Sequence, residues 1–420
     1  MSGQITDGET IHRDAGAPSR ERLAAVGGLF LVVIVSVLPW RPNNLYSGGT
    51  DPVVLAKAVL ALCGLGGAVL LTLRTRVRAP VGLGPAGVLS LALLISLLGA
   101  FVSGHGSETL VLVIRVFIVM ATVLMLVSSV PWTAALACLF TAMTTVAVFA
   151  ALTGLPKYAS SGRLGGGIPE IHPNELAALA ATPLVGLVVF SLQRGWREWR
   201  VVLVVVLLGI VVATGSRTAL LGALVALLLA AIFNGIRDRS MLFVLLAAAP
   251  VAYATATFTN LVGDLASRGG SNAVGSSLNS RFTAWQVVLG WDWGSWERWL
   301  GLGLSVEQVP VDNKWDPFQV LDSSWVSLLA QAGVLSVALV GVLVIWTAAT
   351  ALVSTRRSVM LPLLMLVLIR SATESGLVDS AMPFVLLVTY TAILTHRSRH
   401  PKAEPEEPAE IGARSRHAVP

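Results

Sequence analysis

The sequence predicts an all-α polytopic membrane protein with about twelve transmembrane helices and a large extracytoplasmic loop between the ninth and the tenth. The chain is 55% hydrophobic and only 12% charged, and its mean hydropathy is +0.77. Long apolar runs alternate with short basic connections. This arrangement accounts for the net charge of +6 without a nucleic-acid partner, because basic residues between apolar runs are typical of membrane proteins.

Each apolar run is about long enough to cross a hydrocarbon core of roughly 30 Å as a helix. The runs cover residues 23–39, 53–73, 86–103, 110–130, 132–153, 176–193, 199–214, 217–234, 240–258, 324–347, 358–372 and 381–395. Residues 1–22 and 396–420 are polar and charged, which predicts disordered tails on both sides of one transmembrane domain, 23–395. Cys63 and Cys138 lie in apolar runs, so we expect buried free thiols.

Basic clusters in alternate connections set the orientation. They are Arg74, Arg76 and Arg78, then Arg194, Arg197 and Arg200, then Arg237 and Arg239, then Arg356 and Arg357, with more basic residues in both tails. Positively charged connections stay on the cytoplasmic side of a membrane. We therefore expect a multi-pass plasma-membrane protein with cytoplasmic N- and C-termini.

The stretch 259–319 then lies outside the cell, between two apolar runs. It holds six of the chain's twelve Trp. A connection of this length is usually functional or disordered, and its Trp residues and internal apolar runs argue against disorder. The sequence predicts a folded cap over a site at the outer face.

The orientation rule does not explain five arginines of the predicted outer half. They are Arg115, Arg163, Arg217, Arg281 and Arg370. Ionisable groups at membrane depth are costly and usually have a partner. Arg217, in TGSRTALL, either holds a phosphate through two parallel hydrogen bonds or reaches lipid phosphates at the interface. Arg281, in NSRFTAWQVVL, begins an amphipathic surface helix and is either a ligand or a solvated charge.

The segment SSGRLGGGIPEIHPNELAALAA, from Ser160, leads into the sixth predicted helix. Its Gly-rich backbone and the side chains of Glu170, His172 and Asn174 fit a site for phosphate or sugar hydroxyls. They fit a re-entry turn with a helix cap equally well. Both interpretations stay open at the level of sequence.

Two further outer segments carry polar groups. Asp322, in LDSSWVSLLAQAGVLSVAL, precedes the tenth helix. Its carboxyl group could act as a general base or cap the helix, and chemistry alone favours the cap. Arg370, Glu374 and Asp379 either pair with one another or contact substrate. The sequence has no metal-ligand, nucleotide-binding or nucleophile motif, so we predict no metal and no cofactor.

Together these segments resemble the bacterial O-antigen ligase and O-antigen polymerase superfamily of membrane glycosyltransferases. The resemblance extends over residues 23–395. It rests on IHPNELAA at Ile171, TGSRTALL at Thr214, SRF-x-x-W at Ser280, GLGL at Gly301 and SSWVSLLAQAGVLSVAL at Ser323. It implies transfer of a glycan, on the outer face, from an undecaprenyl-diphosphate-linked donor to a glycan, lipid or protein acceptor. It also implies that Arg217 and Arg281 bind the diphosphate, and we expect Arg163 beside them.

The chain departs from this family just before the tenth helix, where family ligases usually carry a His-Asn pair. Here the two positions are Asp322 and Ser323. Either Asp322 is then the proton acceptor, or His172 replaces it, or the activity has diverged. The supporting site residues we expect are Glu170, Asn174, Trp325 and Arg370. The alternatives from other classes are a transporter or flippase of a lipid-linked or anionic solute, and a catalytically diverged envelope-assembly scaffold.

Overall fold

The structure, a computed structural model, describes residues 18–40, 52–75, 79, 81–234, 283–311 and 318–395. This part of the chain is a bundle of helices with one small antiparallel sheet. The elements are α1 (Arg20–Val37), α2 (Pro52–Arg74), α3 (Gly84–Ser103), α4 (Gly106–Ser129), α5 (Trp132–Ser161), α6 (Pro173–Arg194), α7 (Glu198–Thr214), α8 (Arg217–Asn234), α9 (Trp296–Leu300), β1 (Gln308–Pro310), β2 (Phe318–Val320), α10 (Ser324–Val353), α11 (Arg357–Ser371) and α12 (Met382–Leu394).

Seven of these helices are long and apolar enough to cross a membrane: α2, α3, α4, α5, α6, α8 and α10. The predicted all-α membrane class is therefore confirmed for the described residues. The shortest predicted spans are helices of 17, 15 and 13 residues, α7, α11 and α12. The predicted span 240–258 and nearly all of the predicted tails lie outside the described residues, although α1 already begins at Arg20, inside the predicted tail 1–22.

Two boundaries and one cysteine differ from the prediction. α5 continues past the predicted residue 153 to Ser161 and ends at Gly162, whose φ of 68° lets the chain turn away from the helix. α10 likewise continues past residue 347 to Val353. Cys138 is buried as expected, but Cys63 is exposed on α2, because much of that apolar helix faces away from the bundle.

α12 lies at the centre of the bundle. All of its residues from Met382 to Leu394 are buried, and it packs against α3, α4, α10 and α11. Its sequence, MPFVLLVTYTAIL, is apolar on every side, which is typical of a helix surrounded by other helices.

Helices α2, α4, α6, α8, α10 and α12 all begin at the same end of the bundle. We call this end the site end. Hydrogen bonds at the opposite end join α6, α8 and α11, since Gln193 Nε2 lies 3.0 Å from Asn234 Oδ1 and 2.9 Å from Ser358 Oγ. Arg356 donates there to Ile393 O at 2.8 Å. The basic connections 194–200 and 354–357 therefore lie at the same end, as their alternation in sequence predicts.

α10 is interrupted at Gly333, where φ is 69° and ψ is 179°. This positive φ turns the following amides away from the carbonyl groups of Ala330 and Gln331. Leu302 N–H donates to Ala330 O at 2.8 Å, and Gly303 N–H donates to Gln331 O at 3.0 Å. Buried carbonyl groups need such replacement partners, so the break in α10 and this neighbouring segment depend on each other.

Residues 301–305, with the sequence GLGLS, form what we call the inserted segment. α3 and α4 hold it as well: Ser103 Oγ donates to Leu302 O at 2.8 Å, and Thr109 Oγ1 lies 3.0 Å from Ser305 Oγ. The sequence predicted a cap over the site for 259–319, but did not predict that part of this stretch enters the bundle.

The rest of the described cap packs on the first turns of α10. A helical stretch over residues 283–289 and the β1–β2 hairpin, which pairs Val309 with Gln319, bury Ala284, Val288 and Val309 against Ala330 of α10. The sequence did not predict this hairpin, because its strands have only three residues each.

We expect Gly333→Ala to destabilise the protein strongly, because a Cβ there would collide with Trp299 O on a residue with φ of 69°. Gly341→Ala is the matched control in the same helix, since a Cβ added to that glycine would meet nothing within 4 Å. Thermal unfolding of the purified protein in detergent should show a loss of about 2 kcal/mol or more for Gly333→Ala and no loss for Gly341→Ala. Equal stability of the two variants would contradict the described packing.

Candidate functional site

Several of the sequence segments that carry polar groups meet around the start of α10, at the site end. Six residues from three of these segments are joined by hydrogen bonds between side chains or from a side chain to a backbone carbonyl group, and we call them the polar network. They are Arg163, Asn174, Glu175, Ser324, Arg370 and Glu374. A fourth segment, TGSRTALL, contributes the carbonyl group of its first residue, Thr214.

The Gly-rich α5–α6 connection is packed against its neighbours. The amides of Leu164, Gly166 and Gly167 donate to backbone carbonyl groups at 2.9, 2.8 and 3.0 Å. A Cβ at Gly167 would collide with Thr153 O, so this glycine permits close contact with α5. These amides are occupied, which favours the re-entry turn over a phosphate site made by this backbone.

α6 begins with a histidine cap. His172 is the N-cap residue, and its Nδ1 accepts from Asn174 N–H at 3.3 Å, while Asn174 and Glu175 lie in the first turn. Glu170 lies just before this cap and pairs with Lys157 Nζ at 2.8 Å. His172 therefore has a structural role at the position where the sequence offered it as a proton acceptor.

Asn174 bridges a cationic and an anionic side chain. Arg163 Nη2 donates to Asn174 Oδ1 at 3.2 Å, and Asn174 Nδ2 donates to Glu374 Oε1 at 2.7 Å. Arg163 Nε also donates to Thr214 O at 3.0 Å. Arg163 is thus fixed between the start of α6 and the end of α7, beside the α7–α8 turn.

Arg370 is the most deeply buried arginine of the polar network, with 4% of its surface exposed. Its Nη2 lies 3.4 Å from Glu175 Oε1 and 3.5 Å from Asn174 O. Arg370 therefore pairs with Glu175 of α6, a partner that the sequence analysis did not name. A buried guanidinium needs such a partner, because an unpaired charge in the interior is costly.

Glu374 also fixes the start of α10. Both N–H and Oγ of Ser324 donate to Glu374 O, at 3.0 and 2.6 Å. Trp325 Nε1 donates to Ser371 Oγ at 3.2 Å, so two successive residues of α10 are attached to the end of α11 and the residues that follow it. Asp322 is half-buried and lies one position before the N-cap of α10, so it is not that helix's N-cap.

Arg217 differs from the arginines of the polar network. It is exposed, it opens α8, and it forms no ion pair or hydrogen bond with any residue that the structure describes. A cation at a helix N-terminus is electrostatically unfavourable, so its position is not explained by the stability of α8. Arg163 and Arg217 flank the same turn, whereas Arg281 lies outside the described residues.

A small cleft lies on the other side of the start of α10, and we call it the acidic cleft. It is lined by Glu307, Ser324, Ser327, Gln331 and Asp379, together with apolar and backbone groups of α10, β2 and residues 375–378. Ser324 belongs to both the cleft and the polar network. The cleft is therefore contiguous with the arginine-bearing side of the site end.

Burial and, to a smaller extent, the neighbouring charge of Asp379 raise the pKa of Glu307 to about 7. Lys57 of α2 and Arg115 of α4 act in the opposite direction. A carboxyl group with a strongly raised pKa in a cleft is typical of residues that exchange protons in function.

Sequence analysis did not single out Glu307. It is a lone acid among apolar residues in LSVEQV, and no motif marks it. Its position depends on the inserted segment, which ends two residues earlier and brings it against α10. The sequence feature that could have drawn attention to Glu307 was an acidic residue in a largely apolar stretch shortly after GLGL.

No family model and no curated protein matches the chain. The resemblance to the O-antigen ligase and polymerase superfamily therefore stays a prediction. What supports a function is the chemistry of Arg217, the polar network and the acidic cleft.

The raised pKa of Glu307 predicts a pH-dependent stability. The pKa is about 7 in the folded protein and 4.5 in a solvated chain, so folding favours the protonated carboxyl group. Its contribution to stability is complete below pH 4.5 and is lost as the pH rises through 7. At pH 8 we expect Glu307→Gln to be more stable than wild type by on the order of 1–3 kcal/mol.

At pH 5 the difference between Glu307→Gln and wild type should be small, since the Glu307 side chain is then protonated in the folded protein. Thermal unfolding at the two pH values measures this change, and Glu297→Gln in the same outer segment is the control. A difference that is the same at both pH values would contradict a raised pKa at Glu307.

Proposed function

We propose that the protein is a membrane glycosyltransferase of the O-antigen ligase and polymerase type, which acts in cell-surface polysaccharide biosynthesis. It moves a glycan from an undecaprenyl-diphosphate-linked donor to a glycan, lipid or protein acceptor on the outer face of the plasma membrane. The observation that carries this proposal is Arg217, an exposed cation without a partner among the described residues, at the end of an apolar helical bundle.

The chemistry of the donor fits this arginine. A diphosphate is a dense anion, and a guanidinium can bind it through two parallel hydrogen bonds. Arg370 is buried and paired with Glu175, whereas Arg217 is exposed and therefore accessible to a ligand. Arg163 lies beside the same turn, and the resemblance adds Arg281 as a third cation.

The reaction forms a bond between an acceptor hydroxyl oxygen and the anomeric carbon of the donor, and breaks the bond from that carbon to the diphosphate. Negative charge develops on the departing lipid diphosphate. Arg217, with Arg163 and Arg281, stabilises this charge, and electrostatic stabilisation of this kind is usually the largest catalytic contribution. The hydroxyl proton passes to a side chain near the start of α10, for which the resemblance offers Asp322 or His172.

The full topology is part of this proposal. The described helices α1–α8 and α10–α12 and the apolar run 240–258 make about twelve spans. The basic connections at the opposite end of the bundle then face the cytoplasm, as do both tails. The site end, with Arg217, faces outward, where the lipid-linked donor is presented.

We expect Arg217→Ala to lower the rate of glycan transfer by about 100-fold or more, because it removes a cation from the leaving diphosphate. The measurement is release of undecaprenyl diphosphate by the purified protein in nanodiscs, with an undecaprenyl-diphosphate oligosaccharide extracted from the native host. Arg197→Ala, an exposed arginine at the opposite end, is the matched control and should transfer at the wild-type rate.

The same preparation separates transfer from transport. Movement of the lipid-linked glycan across the bilayer without release of undecaprenyl diphosphate would replace the transferase with a flippase. Donor binding with neither transfer nor movement would indicate a scaffold.

A further inference from the structure

We propose that the acidic cleft is the acceptor subsite, where Ser327 and Gln331 hold hydroxyl groups of a sugar and Glu307 takes the proton of the attacking hydroxyl. This inference rests on the proposed glycosyltransferase function. It assigns the acceptor a place in the structure, names its chemical class as a neutral polyol, and moves the proton-accepting role away from Asp322 and His172.

Two buried polar groups in the cleft are incompletely paired. Ser327 is only 6% exposed, and its Oγ has no hydrogen-bond partner within the described ranges. Gln331 is 9% exposed and uses Nε2 to donate to Val306 O at 3.1 Å, while no described residue donates to its Oε1. Both residues line the cleft, so a ligand with hydroxyl groups can supply a donor to Gln331 Oε1 and either a donor or an acceptor to Ser327 Oγ.

The charged groups that line the cleft determine which class of ligand it can bind. Its lining includes the carboxyl groups of Glu307 and Asp379, and neither lysine nor arginine is among the described residues that line it. A diphosphate would be repelled there, whereas sugar hydroxyls donate to carboxylates and to amide oxygens. The cleft therefore suits a neutral hydroxyl-bearing acceptor better than an anionic donor, although the charges of Lys57 and Arg115 also act on Glu307.

The cleft is also placed next to the proposed donor side. Ser324 lines the cleft and donates to Glu374 O, Glu374 accepts from Asn174, and Asn174 accepts from Arg163. A short chain of hydrogen bonds thus connects the carboxylate side to the arginine side. A donor held beside Arg163 and an acceptor in the cleft would meet at the start of α10.

Glu307 is suited to accept the proton. The acceptor O–H bond breaks, the proton moves to a carboxylate oxygen of Glu307, and the hydroxyl oxygen bonds to the anomeric carbon. The carbon–oxygen bond to the diphosphate breaks, and its electron pair leaves with the lipid diphosphate. Glu307 becomes neutral in this step, which suits a buried carboxyl group because burial disfavours its charge.

The test compares wild type with Glu307→Gln and Asp379→Asn in nanodiscs, with Glu297→Gln as the matched control. The probes are the host-extracted undecaprenyl-diphosphate oligosaccharide as donor and the neutral polysaccharide fraction of the host cell surface as acceptor. Donor affinity is measured separately from undecaprenyl diphosphate release. We expect Glu307→Gln to lower release at least about 100-fold with unchanged donor affinity, and Glu297→Gln to match wild type.

The pH profile is the readout that a merely structural role would not move. Wild-type release should rise as the pH increases through about 7, because the proton acceptor must be ionised and its pKa is raised to that value. The charges that set this pKa are Asp379, Lys57 and Arg115. Asp379→Asn removes a negative neighbour, so the rise should move to lower pH.

Each remaining outcome would overturn one named part of the proposal. Full release by Glu307→Gln, or an unshifted profile in Asp379→Asn, would overturn the role of Glu307 and leave the transferase in place. Loss of release in Asp322→Asn or His172→Gln with full release in Glu307→Gln would return the proton to those residues. Donor binding by wild type without release would overturn the transferase and the acceptor subsite together.

Discussion

The break in α10 at Gly333 is the constraint on which the rest of the site end depends. A helix that loses two internal hydrogen bonds inside a bundle must satisfy its carbonyl groups elsewhere, and the inserted segment does so with two of its own amides. The backbone of the inserted segment therefore lies directly against the backbone of α10, and glycine is required at this contact. The inserted segment in turn fixes the position of Glu307, two residues further along the chain.

Charged groups lie on both sides of the start of α10. Arg163 and Arg370 lie with Glu175 and Glu374 in the polar network, whereas Glu307 and Asp379 line the acidic cleft, where Lys57 and Arg115 also act on Glu307. Here Asn174 stands between Arg163 and Glu374, and a neutral amide can serve both neighbours at once. The proposed reaction assigns the anionic donor to Arg217 and the neutral acceptor to the acidic cleft.

The sequence was sufficient to predict those helices whose apolar runs are clearly bounded by polar, Gly or Pro residues. Most helices begin and end close to the predicted residues, and the segments around Arg163, Asn174 and Arg370 were singled out before they were seen to meet. The break at Gly333 could not be predicted, because a glycine within an apolar run is compatible with an unbroken helix. Glu307 was missed for the same reason: its environment is created by a tertiary contact, and no local pattern encodes that contact.

The docking of the inserted segment also divides the surface of α3. Ala92, Ser96, Gly99 and Ser103 form one stripe along the helix: Ala92 O accepts from α10, Ser96 Oγ donates to α10, Ser103 Oγ donates to the inserted segment, and a Cβ on Gly99 would collide with Gly301 O. Leu91, Leu94 and Leu98 are exposed on the other side. Substitution tolerance along α3 should follow this division. The substitution Gly99→Leu would raise the hydropathy of α3 as a membrane span, but it would disrupt the packing of α3 against the inserted segment. Hydropathy and packing would therefore rank this variant in opposite order.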